Sequence, residues 1–305
     1  MKKVLVVYHR ADFDGIFSCC VVGKWLTENH LEYEVLGYDY SDKEVPDVRN
    51  WPEKYRMLVM VDVSFPPAVM SRLKSEMEQF RYEDHHEVSI RLSQEHGYSD
   101  LFGRRDISVA AVENTWLDLF PGQPMPDIIK FVGANDTWNM NRYNWETETV
   151  PVDLSLEATY GISYQNISAA FETLLGYSYE EIRKQLMIPG RMIKTYNDKK
   201  NASFCKRYSF DVLVDGKYKA IAILSPEFSS SILGSRYNDY DLFIIANRVS
   251  PEFYKISLYR KDEPGSCDIS CGEYCYKFGG GGHKNAASCI VGLDVFTELI
   301  INNKF

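Results

Sequence analysis

The sequence predicts an α/β protein: a doubly wound, mostly parallel sheet followed by a smaller α/β domain. Two continuous apolar runs, residues 4–8 and 57–61, carry the first half of that reading, because a strand buried on both faces of a parallel sheet has no polar side to show. Each run stops at an ionisable residue, His9 or Asp62, and a helical stretch follows, the alternation of βαβ units. The third observation is a change of texture beyond residue 200. There, residues 208–214 and 218–224 flank Asp215-Gly216, a hairpin signal.

In chain order, the first strand gives way to His9, Asp12, Asp14 and Gly15, and a helix is expected over 16–26. Residues 33–38 read as a second strand and 57–61 as a third. Pro66 and Pro67 open a helix over 68–80. The run Tyr82-Glu83-Asp84-His85-His86-Glu87 follows. Residues 107–120 form another helix, with Val109, Val112, Trp116 and Leu117 on one face, and 126–134 lead to Asn135-Asp136-Thr137-Trp138. Helices over 167–175 and 179–200 turn basic at Lys199-Lys200. The domain junction therefore falls near 195–206, giving domains 1–195 and 206–305. Strands at 243–246 and 253–258 and a helix over 267–278 complete the second domain, ending in Gly279-Gly280-Gly281-Gly282-His283. Cys267, Cys271 and Cys275 share one face of that helix and read as buried packing, since free cysteine behaves as a small hydrophobe.

The totals fit. A chain of 305 residues with 45% apolar and 14% aromatic content can build two cores. No stretch approaches the roughly 20 apolar residues of a membrane span, and the apolar start is too short for a signal peptide. Seven cysteines, an odd count without scaffold density, read as reduced thiols of a cytoplasmic protein. A net charge of −9 disfavours a long nucleic-acid polymer as ligand. It is compatible with a small phosphorylated substrate held by metals and a few local cations.

His9, Asp12, Asp14, Asp62, Asp84, His85, His86 and Asp136 all fall at strand ends or in adjacent loops. Crowded carboxylates raise one another's pKa unless a cation lies between them, and nitrogen and oxygen donors suit Mn, Zn, Mg or Fe. Asp12, Asp62 and Asp136 also stand where helix caps stand, so spacing alone leaves capping and ligation both open. Collected, the eight are the donor list of a two-metal hydrolytic site. Glu83 and Glu87 read as solvated neighbours, and His30 and His96 as surface residues. Four consecutive glycines permit close backbone approach and an anion-binding nest, with His283 placed to donate to phosphate.

Asp84-His85-His86, preceded by His9-x-x-Asp12-x-Asp14-Gly15, resembles the DHH phosphoesterase superfamily. Asp62 after its apolar strand and Asp136 in Gly133-Ala134-Asn135-Asp136-Thr137-Trp138 are similar to further motifs of that family. Gly279–His283, continuing Lys284-Asn285-Ala286-Ala287, resembles the signature of the associated DHHA1 domain. The resemblance runs from residue 9 to about 288. It implies two divalent ions, with Mn²⁺ the family's usual one. His9 and Asp12 would bind one ion, Asp14, His85 and Asp136 the other, and Asp62 would bridge. It further implies that His86 faces the substrate phosphate, that Asp84 supports the histidines, and that Gly280, Gly281, Gly282 and His283 bind substrate in a cleft between the domains. Relatives carry Ser-Leu-Arg-Ser where this chain has Ser257-Leu258-Tyr259-Arg260. Tyr259 is therefore expected to stack on a base, with Arg104 or Arg105 as alternative phosphate contacts. The branch most similar is that of oligoribonucleases (nano-RNases) and cyclic-mononucleotide phosphodiesterases, which implies a phosphodiesterase of short oligoribonucleotides or small nucleotides. Exopolyphosphatase, pyrophosphatase, 3′-phosphoadenosine-5′-phosphate phosphatase and a non-enzymatic nucleotide sensor are the alternatives; a homo-oligomer is compatible with each.

Overall fold

The computed structural model describes residues 2–42, 44–225, 239–260 and 267–301. The chain divides into two compact units, Met1–Lys194 and Thr195–Phe305. No helix among the described residues is long and apolar enough to cross a membrane.

The first unit holds the doubly wound parallel sheet. Its elements begin β1 (Lys3–His9), α1 (Phe13–Glu28), β2 (Tyr33–Tyr38), α2 (Trp51–Lys54), β3 (Tyr55–Val61), α3 (Pro67–Glu76), β4 (Gln79–Glu83) and α4 (Glu87–Glu95). Then come α5 (Ala111–Leu119), α6 (Asp127–Asp136), α7 (Val150–Tyr160), α8 (Tyr164–Leu175), α9 (Tyr179–Ile182) and α10 (Ile188–Tyr208), the last of which runs into the second unit. The strands lie in the order β2-β1-β3-β4, all parallel. Alternate residues of β1 feed two cores. Val4 and Val6 pack with Ile16 and Phe17 of α1, while Leu5 and Val7 pack with Met70 and Leu73 of α3 on the other face. The chain leaves β1 toward β2 on one side and returns to β3 on the other, so a topological switch point lies between β1 and β3. In such sheets the crevice outside the carboxyl ends at that point is where ligands bind. Tyr8 pairs with Val61, and the next residues are His9 and Asp62.

Several boundaries differ from the sequence reading. Helix α3 stops at Glu76, and residues 79–83 form a fourth strand because Phe80 and Tyr82 alternate inward. Helix α5 starts only at Ala111, since Asp106 holds Ser108 in a turn through both its amide (3.0 Å) and its hydroxyl (2.6 Å). A π turn at Arg183–Met187 precedes Pro189, which has no amide for an α ladder, and helix then continues to Tyr208 rather than ending near Lys200.

The second unit contains β5 (Phe210–Val214), β6 (Tyr218–Leu224), β7 (Leu242–Arg248), β8 (Phe253–Arg260), α11 (Cys271–Tyr276), β9 (Gly281–Gly282), β10 (Ala286–Gly292) and α12 (Leu293–Phe296). The sheet order is β5-β6-β7-β8-β10-β9, parallel only between β6 and β7. The helix expected over 267–278 is confined to 271–276. Arg260 is buried, and its guanidinium donates to the carbonyls of Cys267 (3.0 Å) and Ile269 (2.9 Å), which holds that segment out of helical geometry. Cys267, Cys271 and Cys275 are all buried in the core.

Gly15 carries the geometry of the switch point. A Cβ there would lie 2.1 Å from the His9 carbonyl oxygen, so only glycine lets α1 begin over the end of β1. Gly15→Ala is expected to cost about 1–3 kcal/mol or more, read as a lower urea midpoint at unchanged m-value, together with weakened divalent-metal binding.

Candidate metal centre

The sequence places His9 at the end of β1, Asp62 just past β3 and Asp84-His85-His86 just past β4. These are neighbouring carboxyl ends of one parallel sheet. Asp12 and Asp14 come from the start of α1, and Asp136 from the last turn of α6. The fold brings all eight together.

Asp62 lies at the middle. It is 1% exposed, and its backbone has φ of 58°, a left-handed conformation uncommon outside glycine. Neither carboxylate oxygen accepts a hydrogen bond of ordinary geometry. Oδ2 faces His9 Nδ1 at 3.5 Å; Oδ1 faces His85 Nε2 at 3.5 Å and His86 Nδ1 at 3.7 Å. Three donor sets converge through this residue: His9, Asp12 and Asp62; Asp14, Asp62 and His85; and Asp62, Asp84 and His86. Asp136 Oδ2 adds to the second, 3.2 Å from His85 Nε2. A buried carboxylate flanked by imidazoles and further carboxylates is the chemistry of a divalent-cation site.

Other carboxylates divide their oxygens. Asp12 Oδ1 caps α1 by accepting from Gly15 N (2.9 Å), while Oδ2 turns to His9 Nδ1 (2.7 Å). Asp14 is buried, and its oxygens accept the amides of Ala111 (2.9 Å) and Val112 (2.7 Å), which anchors the amino terminus of α5. Its Oδ2 still lies 3.6 Å from His85 Nε2. Asp84 is fully used by the protein. Oδ1 accepts from His85 N (2.7 Å) and His86 N (3.0 Å) and contacts His86 Nδ1 (2.8 Å), and Oδ2 accepts from the Tyr82 hydroxyl. Asp84 thus orients the His86 ring rather than offering itself to an ion.

The charges show what the cluster lacks. Burial opposes charging His9 and His85, but Asp12 and Asp62 around the first, and Asp136, Asp62 and Asp14 around the second, raise each to about 11. Burial also works against ionising Asp62, and the imidazoles of His85 and His9 overcome it, holding its pKa below the usual carboxylate range. Burial, with the Asp62 carboxylate, pushes Asp14 well up; burial pushes Asp136 to about 6.

A cavity of about 220 Å³ opens beside it. Asp12, Asp14 and Asp136 line one part; Asp153 and Glu157 of α7 line another, with Phe13, Val132 and Ile162. None of its lining residues is cationic. Asp153 accepts from Asn135 Nδ2 at 3.0 Å, and burial, with Glu157, Asp12 and Asp136 nearby, raises it to about 7.

The sequence reading missed Asn114, Tyr82 and Asp153. The Asn114 amide donates to the carbonyls of Asp84 (3.2 Å) and Asp106 (2.9 Å), fixing the histidine loop. No local spacing signals a contact across thirty residues. Glu83 corrects an expectation: it is not solvated but fully buried, 3.4 Å from Arg81, with burial raising it to about 8. Strand pairing with β3 turns it inward. Glu87 is exposed.

The remaining predicted residues have protein partners of their own. Arg104 donates to Asn114 Oδ1 (3.0 Å) and Asp106 Oδ2 (2.7 Å), and Arg105 to the carbonyls of Tyr82, Ser99 and Leu101. Tyr259 packs against Phe243 with centroids 5.4 Å apart, beside a buried cluster of Cys205, Ile221, Ile223 and Ile245. A Cβ on Gly280 would lie 2.1 Å from Ser288 O, and one on Gly282 2.6 Å from Ala286 O, so the β9–β10 turn itself requires two of the four glycines. Gly281 meets nothing within 4 Å, and His283 is exposed, its amide donating to Ala286 O at 2.7 Å.

Ligation needs neutral imidazoles, so metal uptake at pH 8 is expected to release at least about two protons, from His9 and His85. Apparent affinity should rise with pH toward about 11, where both histidines lose their protons unaided. Titration calorimetry in buffers of different ionisation enthalpy measures the release; buffer-independent heats would contradict the assignment.

No protein-family model matches the sequence, and no curated protein matches it either. The likeness is structural. The pGpG-specific phosphodiesterase PggH from Vibrio cholerae superposes with a TM-score of 0.52 at 15% identity, covering 99% of this chain and 98% of that one. The DHH domain of a member of a ribosomal-protein family gives 0.55 at 14% identity, with 99% and 85% covered. RecJ from Thermus thermophilus in complex with Mn²⁺ gives 0.50 at 14% identity; this chain spans 51% of it. In both of its units, the chain has the fold of the DHH-domain proteins.

Proposed function

We propose that the protein is a two-metal phosphohydrolase that cleaves short oligoribonucleotides or small nucleotides. The observation that carries this reading is Asp62, buried, with both oxygens facing imidazoles and common to three His/Asp donor sets. His9, Asp12 and Asp62 would hold one divalent ion; Asp14, Asp62, His85 and Asp136 would hold the other. Such a pair supplies Lewis-acid chemistry, acidifying water and neutralising phosphoryl charge. Mn²⁺ is our assignment for both positions. The Vibrio relative's name as a phosphodiesterase and the manganese in the Thermus RecJ complex support the reading.

The chain's own groups do the rest. Asp84 fixes His86 through Nδ1, leaving the ring to donate a hydrogen bond to a phosphoryl oxygen as charge builds there. The partly exposed position of His86 suits that task. Asp153 and Glu157, which line the cavity beside the ligand carboxylates, are placed to accept from a sugar hydroxyl or base amino group of the substrate. We further assign Gly280–His283 to binding a phosphate of the substrate, on the sequence resemblance.

The test is a Mn²⁺-supplemented hydrolysis panel of di- to pentaribonucleotides, 3′-phosphoadenosine-5′-phosphate, cyclic mono- and dinucleotides, pyrophosphate and polyphosphate. Ribonucleotide diesters are expected to turn over fastest; turnover of polyphosphate alone would refute the substrate assignment. His86→Ala should lower kcat about 10²- to 10³-fold while manganese content stays at the wild-type value. Loss of an ion in that variant would make His86 a ligand and overturn its role.

A further inference from the structure

Tyr40 stands beyond the carboxyl end of β2, at the rim of the metal centre. Its hydroxyl accepts from Ser64 N at 3.0 Å. Its ring lies 5.7 Å from the His9 imidazole, tilted by 50°, and 6.1 Å from Tyr38, edge to face. Tyr38 is in turn braced edge to face by Phe65 at 5.0 Å. The loop that carries Tyr40 is clamped to the metal-site strand. Arg10, next to His9, binds Asp42 through two nitrogens at 2.5 and 2.6 Å, and Asp42 also accepts from Asp39 N at 3.1 Å. Despite these restraints, Tyr40 remains 51% exposed.

A scattered exposed aromatic needs no explanation. This one is held at its hydroxyl end, along its edge and through its loop, so its orientation is set before any ligand arrives. Rigid aromatic faces of that kind bind planar groups with little further loss of freedom. Arg10, which anchors the loop, is paired with Asp42, and what the exposed Tyr40 ring itself presents is a neutral planar face. Ring faces stack on any base, whichever it is.

We propose that Tyr40 is a stacking platform for the nucleobase next to the phosphate held at the metal centre. The proposal rests on the phosphohydrolase reading and names the part of its substrate that the first unit recognises: a base, without preference among the four.

The experiment measures binding and turnover separately. Calorimetry on the Mn²⁺-loaded protein would use a methylenephosphonate analogue of the dinucleotide ApA, which is not hydrolysed, and its abasic counterpart. Tyr40→Ala is expected to weaken the base-bearing probe about 5- to 150-fold and to leave the abasic probe within about twofold. Tyr40→Phe should bind both probes like wild type, because the ring is kept. Equal weakening of both probes would mean that Tyr40 acts by positioning His9, and no weakening of either would mean that the face is unused; each overturns the proposal. So does failure of the wild type to prefer the base-bearing probe. Turnover of ApA itself reports on the other question. Base-dependent binding without hydrolysis would end the phosphohydrolase reading and leave the platform standing.

Discussion

Asp62 is a carboxylate that the fold removes from water and faces with imidazoles alone, at 3.5–3.7 Å. Desolvating a charge in that way costs several kcal/mol unless opposite charge returns it. Its left-handed backbone adds about 1–3 kcal/mol of strain. Both features persist because the surrounding structure over-determines them. The parallel register of β1 and β3 sets His9 beside Asp62. Gly15 lets α1 start directly over His9, and Asp84 fixes the loop that delivers His85 and His86. Asp14 binds the first turn of α5, whose Asn114 grips the carbonyl of Asp84. The architecture of the first unit can be followed outward from that one residue.

Electrostatics explains why such a cluster calls for cations rather than tolerating its own charge. Two carboxylates about 4 Å apart repel by about 4 kcal/mol at an effective dielectric of 20, and five aspartates, Asp12, Asp14, Asp62, Asp84 and Asp136, meet here. Without metal, the histidines answer by holding protons to about pH 11, and Asp136 by keeping its proton to about pH 6. Protons serve as placeholders for divalent ions. The carboxylates continue into the neighbouring cavity through Asp153 and Glu157. The neutral ring of Tyr40 lies at the rim by His9.

Much of this was legible in the sequence because its signals are local. Apolar runs ending in His9 and Asp62 announce parallel strands with functional carboxyl ends, and Asp84-His85-His86 is a compact motif. The illegible parts are long-range. Asp14 reaches Ala111 and Val112 across nearly a hundred residues, and α7 brings Asp153 into the cavity without any motif to mark it. Residues 267–270 look helical by cysteine spacing, yet the carbonyls of Cys267 and Ile269 are taken by Arg260 at the end of the preceding strand, a side-chain contact no spacing shows. Glu83 looked solvated because its neighbours are charged; strand pairing buried it instead. Helix propensity over 77–80 likewise yielded to the alternating burial of Phe80 and Tyr82.

The central claim is that Asp62 joins two metal positions. Electron paramagnetic resonance of the Mn²⁺-loaded protein tests it most directly, because a carboxylate shared by adjacent ions couples their spins. The account predicts an exchange-coupled Mn²⁺ pair in wild type, reduced in Asp62→Asn to uncoupled or missing ions. A wild-type spectrum of isolated Mn²⁺ at full loading, or a coupled pair that survives loss of the Asp62 carboxylate, would contradict it.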